Sequence, residues 1–396
     1  MHTIVRRSLS KLRSFALFVL IAALPAAHAA QPARKTPPPP TMGPVTIAQQ
    51  GYFFVAGKYG SNKDGQVMTG QMFVQFQVPQ QRKHRYPIVM WHGGGQTATN
   101  FLATPDGRPG WADYFLRAGY AVYVVDQPGR ARSGYFTDAY GPTRKPNANA
   151  MSERFTAPEL SKLYPQAGMH TQWPGKGVAG DPVFDQFFAS QVEDMSNLVA
   201  LEDLNRSAGI ALLDKIGPAI LLTHSQSGPF GWEIADSRPQ LVKGVVAIEP
   251  NGPPFYETSV IGAPDWFKDA NLGRAWGITR LPLAYDPPAS EPKDLLMVRQ
   301  PQADGPGLVR CWQQDSPARQ LVNLKQVPIL IVVSEASYHA PYDHCTSKYL
   351  ADAGVKHTFQ RLPAAGIHGN GHMMMLEKNN LQIAVLLKTW VEKNIR

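Results

Sequence analysis

The chain has 396 residues, 43% of them hydrophobic and 17% charged, and its 39 lysines and arginines exceed its 30 acidic residues by nine. This excess is mild for the length and forms no block of five or six like charges, so it does not indicate a nucleic-acid partner. Beyond the N-terminal stretch no segment is apolar enough to span a membrane, so we expect a globular mature chain with no membrane insertion.

The N-terminus has the pattern of a secretory signal peptide. Basic residues precede an apolar run at 15–24, and small residues at 27–29 fit a cleavage site. The run is shorter than the roughly 20 residues that a membrane span needs. We therefore predict a signal peptide at residues 1–29, a secreted or periplasmic protein, and an extended proline-rich leader at 30–48 before a folded domain at 49–396.

In the folded part, apolar runs alternate with amphipathic helical segments, a pattern typical of parallel βαβ crossovers. An alternating run at 67–78 predicts a half-exposed antiparallel strand. Two aperiodic stretches, at about 134–182 and 253–319, are predicted to be irregular insertions that cap the domain. Further strands are predicted at 86–91, 120–126, 219–222, 241–248, 327–333 and 356–362, and helices at 111–118, 185–213, 229–238 and 381–393.

Ser225 lies on a tight polar turn between the buried run 219–222 and an amphipathic helix. A strand, a tight turn that carries a serine and an outgoing helix are the parts of a nucleophile elbow, in which the strained turn raises the serine hydroxyl above the sheet. The usual motif has glycine two residues before and two residues after the serine, whereas this chain has Thr223 and Ser227. We predict that Ser225 is the nucleophile and that Ser227 is a capping or packing residue.

The order of four motifs resembles that of the α/β-hydrolase superfamily. The motifs are HGGGQ at 92–96, DQPGRARS at 126–133, THSQSG at 223–228 and GNGHMMMLEK at 369–378. Over residues 50–396 the chain is similar to a small group of secreted bacterial esterases of that superfamily. The resemblance implies an α/β-hydrolase fold, with a mostly parallel sheet and helices on both faces, and a catalytic triad whose acid is a glutamate after strand six.

The base of such a triad comes from the loop after the last strand, which contains two histidines. His372 directly precedes an apolar segment that has the pattern of a helix start, and we predict that it is the base. His368 is the alternative, which we otherwise expect to line the pocket. His224, next to the nucleophile, is expected to point away from it.

The acid has two candidates, because the turn after strand seven, where most α/β hydrolases carry an aspartate, has Ser337 at that position. Glu249 follows strand six, which is adjacent to the nucleophile strand, and the resemblance also points to it. Glu335 precedes Ser337 by two residues and is the alternative, whereas Asp343 follows it by six. We predict that Glu249 is the acid.

Two backbone N–H groups are expected to form an oxyanion hole. One belongs to Gln226, the residue after the nucleophile, and the other to Gly94 or Gly95 in the glycine turn after the strand at 86–91. Glycine allows the backbone to approach a developing oxyanion without a side chain in the way.

Cys311 and Cys345 are the two cysteines of the chain. In an exported protein such a pair is predicted to form a disulfide, with two free buried thiols as the alternative. The spacing does not indicate a zinc site.

These residues together predict a serine hydrolase that cleaves carboxylic esters through an acyl-enzyme, with a small-molecule ester as its partner and with no cofactor or metal. The same triad serves acyl transfer and the cleavage of amides and lactones, and an inactive hydrolase scaffold that binds a ligand is a further alternative. A dehalogenase is disfavoured, because it needs a carboxylate in place of Ser225. The sequence identifies neither the ester nor the oligomeric state.

Overall fold

A computed structural model describes residues 43–63 and 65–395 of the chain. The predicted signal peptide at 1–29 and most of the predicted leader lie outside these residues. Within them, no helix is both long enough and apolar enough to cross a membrane.

The centre of the fold is an eight-stranded sheet in the order β1-β2-β4-β3-β5-β6-β7-β8. β1 is antiparallel to β2, and β2 is antiparallel to β4, while every other neighbouring pair is parallel. The strands are β1 Ile47–Asn62, β2 Gly65–Pro79, β3 Ile88–Trp91, β4 Val122–Asp126, β5 Ala219–His224, β6 Val242–Ile248, β7 Ile329–Val333 and β8 Thr358–Arg361.

Five helices pack on this sheet, and helices cover both of its faces. They are α1 Trp111–Arg117, α2 Leu198–Ile216, α3 Gly228–Ser237, α4 Asp343–Asp352 and α5 Asn380–Asn394. Successive side chains of a strand point to opposite faces, so in β5 Leu221 packs into one hydrophobic core and Leu222 into another. The first core contains side chains of α2, α3 and α4, and the second contains side chains of α1 and α5. This architecture confirms the predicted α/β-hydrolase fold.

The two aperiodic stretches fold into short elements. The first contains the helices Thr137–Tyr140, Ala148–Met151 and Pro158–Ser161, a π-helical turn at Ser152–Thr156 and a 3₁₀ turn at Pro165–Met169. The second contains the antiparallel pairs Phe255–Gly262 with Trp266–Arg274 and Met297–Arg299 with Trp312–Gln314, and a 3₁₀ turn at Pro292–Asp294.

Other short elements connect the main ones. The helices are Thr99–Leu102 and Pro182–Ala189, the 3₁₀ turns are Ala131–Ser133, Ser225–Ser227, Leu324–Gln326 and Leu362–Ala365, and the paired strands are Thr143–Arg144 with Asp194–Met195 and Tyr285–Asp286 with Gln320–Leu321.

The single helix predicted at 185–213 is wrong. The chain instead forms a helix at Pro182–Ala189, a short strand at Asp194–Met195 and then α2. The Asn197 side chain accepts a hydrogen bond from the Ala200 N–H and starts α2 as its cap. Asp194 is held by an ion pair with the buried Arg130, so the backbone between the two helices follows a path set by that contact.

The predicted disulfide between Cys311 and Cys345 is present, with the two Cα atoms 5.3 Å apart. It ties the second insertion to α4 and closes a loop with a sequence separation of 34 residues. In the chain-entropy model, closing a loop of this size contributes roughly 3–4 kcal/mol to the free energy of unfolding.

Candidate active site

Ser225 follows the last residue of β5, with a φ of 54°. A non-glycine residue in the left-handed region is strained, and this conformation is typical of a nucleophile elbow. The Asn251 N–H donates a 2.8 Å hydrogen bond to the Ser225 carbonyl, which ties the elbow to the turn after β6. At the start of α3, a Cβ on Gly228 would lie 2.4 Å from the Pro250 Cβ, so only glycine fits there.

The two non-glycine residues around the nucleophile have specific contacts. The Ser227 hydroxyl accepts a 2.8 Å hydrogen bond from the His224 N–H and lies 2.9 Å from the carbonyl of Trp91 in β3. The Thr223 Cγ2 packs against α3 at Gly231, where an added Cβ would be 3.1 Å away. Because α3 supplies glycine at that point, the elbow accommodates threonine in place of the usual glycine.

Glu249 and His372 form a fully buried pair beside the elbow. The His372 Nδ1 lies 2.6 Å from the Glu249 Oε2. Glu249 has a φ of 43°, so the backbones of β5 and β6 both turn through the left-handed region directly after the strand. The structure thus places the predicted base and acid in direct contact.

Two serines after β7 complete the hydrogen bonds of the Glu249 carboxylate. Ser334 donates its N–H (2.8 Å) and its hydroxyl (2.5 Å) to Oε1, and the Ser337 hydroxyl donates to Oε2 at 2.6 Å. Burial raises the pKa of Glu249, but the interactions with His372, His339 and Ser334 together outweigh it, so the pKa is lowered from its ordinary value. An ionised carboxylate only accepts, so the His372 Nδ1 carries the proton that it donates to Glu249.

The other ring nitrogen of His372 is available for proton transfer. Its Nε2 is buried and has no hydrogen-bond partner within residues 43–63 and 65–395. Ser225 forms no hydrogen bond with it, and Tyr338, whose ring packs against that of His372, lines the same cavity as Ser225. Catalytic hydrogen bonds are often long in a site without substrate and shorten when the substrate binds.

Aromatic rings fix the orientation of the His372 imidazole. The ring centroids of Phe155, Tyr338, His339 and His224 lie 5.0, 4.9, 4.7 and 4.5 Å from that of His372. His339 stacks nearly parallel, with an angle of 11° between the ring planes. Burial lowers the pKa of His372, and the hydrogen bond to Glu249 acts in the opposite direction without restoring the ordinary value. The imidazole is therefore neutral at neutral pH, as a base must be.

His224 lies closer to the site than expected. Its side chain is buried, with Nε2 3.1 Å from the His372 carbonyl oxygen. Burial lowers its pKa well below the ordinary value, with smaller contributions from His372 and His339. A neutral His224 therefore supports the loop of His372 and carries no charge into the site.

The alternative base and acid are brought together elsewhere. His368 Nδ1 lies 3.1 Å from Glu335 Oε1, and the side chain of His368 is 62% exposed. Asp343 is paired with His339 at 2.9 Å. The side chains of His368, Glu335 and Asp343 do not line the cavity at Ser225.

The glycine turn after β3 is oriented by the buried Arg130, whose role the sequence reasoning missed. The Gly93 carbonyl accepts a 2.9 Å hydrogen bond from the Arg130 guanidinium. In a trans peptide the C=O and N–H groups point in opposite directions, so the Gly94 N–H points away from Arg130. Gly94 and Gly95 both line the cavity at Ser225. The Gly95 carbonyl accepts a 2.8 Å hydrogen bond from the Val192 N–H, which ties Gly95 to the segment before Asp194.

Asp194 links Arg130 to the residue after the nucleophile. Its carboxylate forms ion pairs with Arg130 and, at 2.7 Å, with Arg144, and it accepts a 2.7 Å hydrogen bond from the Gln226 side chain. The Gln226 oxygen accepts a 3.1 Å hydrogen bond from Arg130. Gln226 lies at the start of a helical turn, where backbone N–H groups have no intrahelical partner. The network therefore contacts both the Gly93 carbonyl of the glycine turn and the side chain of Gln226.

A second buried network holds the loop of His372. The His170 imidazole lies 2.8 Å from Glu377 and 2.9 Å from Glu159, and Glu377 accepts the Gly371 N–H at 2.8 Å. Burial lowers the pKa of His170, but the two glutamates raise it to about 9. The helix expected directly after His372 is wrong, since this network folds 371–379 as turns and α5 begins at Asn380.

Ser225 opens onto a cavity of about 460 Å³ that both insertions line. The first insertion contributes Arg144, Lys145, Met151, Arg154 and Phe155, and the second contributes Glu257, Thr258 and Arg280. The turn after β7 contributes Tyr338 and Tyr342.

Two groups of side chains in the described part of the chain have donor atoms within 4.8 Å of one another, as a metal site requires. One is Glu249 with His339 and His372, and its carboxylate already has four hydrogen-bond donors. The other is His344 with Cys311 and Cys345, whose sulfurs form the disulfide.

Comparison with known proteins agrees with this architecture. Residues 88–384 match the alpha/beta hydrolase family. The chain is 45% identical over 343 residues to a probable secreted lipase, phiG, of Fungal sp. (strain ATCC 74256), which covers 86% of this chain and 89% of the relative. A solved structure described as a novel bacterial esterase is 26% identical, with a TM-score of 0.58 over 90% of this chain and 99% of the other. The chain therefore belongs to the α/β-hydrolase family.

Proposed function

We propose that this protein is a secreted serine hydrolase that cleaves carboxylic esters through an acyl-enzyme. The observation that carries the proposal is the buried 2.6 Å contact between His372 and Glu249. This pair lies beside Ser225, whose backbone has a left-handed conformation and which lines a cavity. The names of the relatives, a secreted lipase and an esterase, support the substrate class, and the lipase name and the disulfide support export.

In the first half of the reaction, the Ser225 hydroxyl attacks the ester carbonyl while the His372 Nε2 removes its proton. Glu249 remains ionised and stabilises the imidazolium through Nδ1–H. The N–H groups of Gln226 and Gly94 donate to the oxyanion, and each such donor is worth about 3–4 kcal/mol in the transition state. We assign Gly94 in preference to Gly95, because the Gly93 carbonyl is turned towards Arg130.

The collapse of the tetrahedral intermediate breaks the bond to the alcohol, which leaves with the proton from Nε2. In the second half, a water molecule from the cavity loses a proton to the same nitrogen and attacks the acyl carbonyl. The acid is released and Ser225 regains its proton from His372. No step needs a metal or an organic cofactor.

A fluorophosphonate probe tests the proposal. Wild-type protein should be labelled and should hydrolyse short p-nitrophenyl esters, and Ser225→Ala should do neither. Ser227→Ala, which removes the neighbouring buried hydroxyl, is the matched control and should still be labelled if it is folded. An unlabelled, folded wild-type protein with no ester turnover would indicate an inactive scaffold.

A further inference from the structure

The cavity at Ser225 carries more positive than negative charge. Its charged lining residues and their ion-pair partners include six cations and four carboxylates. The cations are Arg130, Arg144, Lys145, Arg154, Arg274 and Arg280, and the carboxylates are Glu193, Asp194, Glu202 and Glu257.

Each carboxylate that lines this cavity is already neutralised. Asp194 is shared by two arginines, Arg130 and Arg144. Glu202 and Glu257 both bind Arg280, and Glu257 also lies 3.7 Å from Arg274. These carboxylates therefore have no charge left over to balance another cation.

Arg154 is a cation of the cavity wall that has no carboxylate partner among the described residues. It lines the cavity, its side chain is exposed there, and it forms no ion pair or hydrogen bond with any residue in 43–63 or 65–395. The adjacent Glu153 does not line the cavity and forms no ion pair with Arg154. Lys145, the next cation along the wall, has only an exposed 3.5 Å contact with Glu193, and exposed pairs of this kind contribute little.

Arg154 is also close to the reacting groups. It belongs to the π-helical turn Ser152–Thr156. Such turns are rare in proteins, and those that occur are often found at functional sites. The next residue, Phe155, stacks on His372 at 5.0 Å. Burial raises the pKa of Tyr338, and the largest opposing influence is the charge of Arg154. Tyr338 in turn packs against the His372 ring, with the two ring centroids 4.9 Å apart.

We propose that the ester substrate carries a second, anionic group, a carboxylate, which Arg154 binds with support from Lys145. This inference rests on the proposed function and names its substrate class. A guanidinium binds a carboxylate through two parallel hydrogen bonds, which would orient the ester over Ser225 as well as attract it.

The test compares charged esters with neutral isosteres. Monomethyl succinate, glutarate and adipate carry the carboxylate on the acyl side, and the matching monoamide methyl esters replace it by a neutral group. Acetoxyacetate, with 2-acetoxyacetamide as its neutral match, carries the carboxylate on the alcohol side. In Arg154→Gln, kcat/KM should fall about tenfold or more for the charged members of at least one series and by less than about twofold for the neutral ones. Arg154→Lys should lose less.

Lys356→Gln removes an exposed cation outside the cavity and should leave kcat/KM unchanged for both the charged and the neutral esters. An equal loss for charged and neutral esters in Arg154→Gln, or no loss, would overturn the inference while ester turnover and fluorophosphonate labelling left the proposed function standing.

A binding experiment separates the two proposals further. Calorimetric titration of Ser225→Ala with the preferred monoester should show binding that is lost in Ser225→Ala/Arg154→Gln. If this binding occurs and wild type does not hydrolyse any ester, the Arg154 site stands and the hydrolase mechanism falls. If Ser225→Ala binds the monoester and its monoamide equally, the Arg154 site falls.

Discussion

The Ser337 hydroxyl, in the turn after β7, donates a 2.6 Å hydrogen bond to the carboxylate of Glu249, which follows β6. The turn after β7 is where most members of the superfamily carry the acid itself. Here that turn supplies hydroxyl and N–H donors to Glu249, the residue that we propose as the acid. In this proposal the acid follows β6, and the turn after β7 supports it.

Replacing the acid should be far more damaging than replacing its sequence alternative. Glu249→Gln should lower kcat by about 10³–10⁴, because an amide neither fixes the His372 tautomer nor stabilises the imidazolium. Glu335→Gln, which changes the contacts with the His368 side chain and the Gly369 N–H and leaves the Glu249–His372 pair intact, should stay within about twofold of wild type. Steady-state turnover of a p-nitrophenyl ester measures both, and the reverse ranking would exclude Glu249 as the acid.

The pH profile should reflect the buried environment of His372. The base must be neutral to accept a proton, and burial holds its pKa below the ordinary value of about 6.5. The acid limb of kcat/KM should therefore have its midpoint below pH 6.5, with full activity retained at neutral pH. A midpoint at or above 6.5, measured with an ester whose own charge is constant, would contradict the assignment.

Arg130 and Arg144 offer a matched pair of variants. Both bind Asp194, but only Arg130 also holds the Gly93 carbonyl. In Arg130→Met the oxyanion turn loses its orientation, and kcat should fall about tenfold to a hundredfold with a smaller change in KM. Arg144→Met should remain close to wild type with a neutral ester. Circular dichroism establishes that each variant is folded, and equal losses would show that Asp194 neutralisation, and not the turn, is the important contact.

Stability should decrease on the alkaline side because of His170. Its folded pKa of about 9 exceeds the unfolded value of about 6.5, so its contribution is complete below pH 6.5 and is lost as the pH rises through 9. The full contribution is on the order of 3 kcal/mol. Chemical denaturation between pH 6 and 9.5 should show this loss for wild type and a flatter dependence for His170→Asn. Parallel curves for the two proteins would contradict the pairing with Glu159 and Glu377.

The strands and the elbow could be predicted because they depend on local patterns. The buried runs that became β3 to β7 are short, apolar and bounded by turn residues, and the serine turn lies between a strand and a helix. The order of motifs along the chain then predicted that Ser225, Glu249 and His372 belong to one site. In the structure the last two are in direct contact.

The supporting contacts could not be predicted from local patterns. Arg130 and Asp194 are 64 residues apart, and nothing in the sequence around either indicates the other. Asp194 lies between the two helices that replace the one predicted at 185–213, and a helical hydrophobic period does not reveal a tertiary ion pair there. The apolar run after His372 has the pattern of a helix start, yet Glu377 accepts backbone and side-chain hydrogen bonds that hold it in turns.

The proposed position of the acid, directly after β6, has a consequence for how the pocket can change. Beyond Ser337 the described residues of the turn after β7 donate no hydrogen bond to Glu249, and two of them, Tyr338 and Tyr342, form part of the cavity wall. Mutations at Tyr342 can therefore reshape the pocket while Glu249 and His372, which lie in other segments, remain unchanged. Laboratory selection for new esters should accumulate substitutions in this turn and in the two insertions, and it should leave Glu249 and His372 constant.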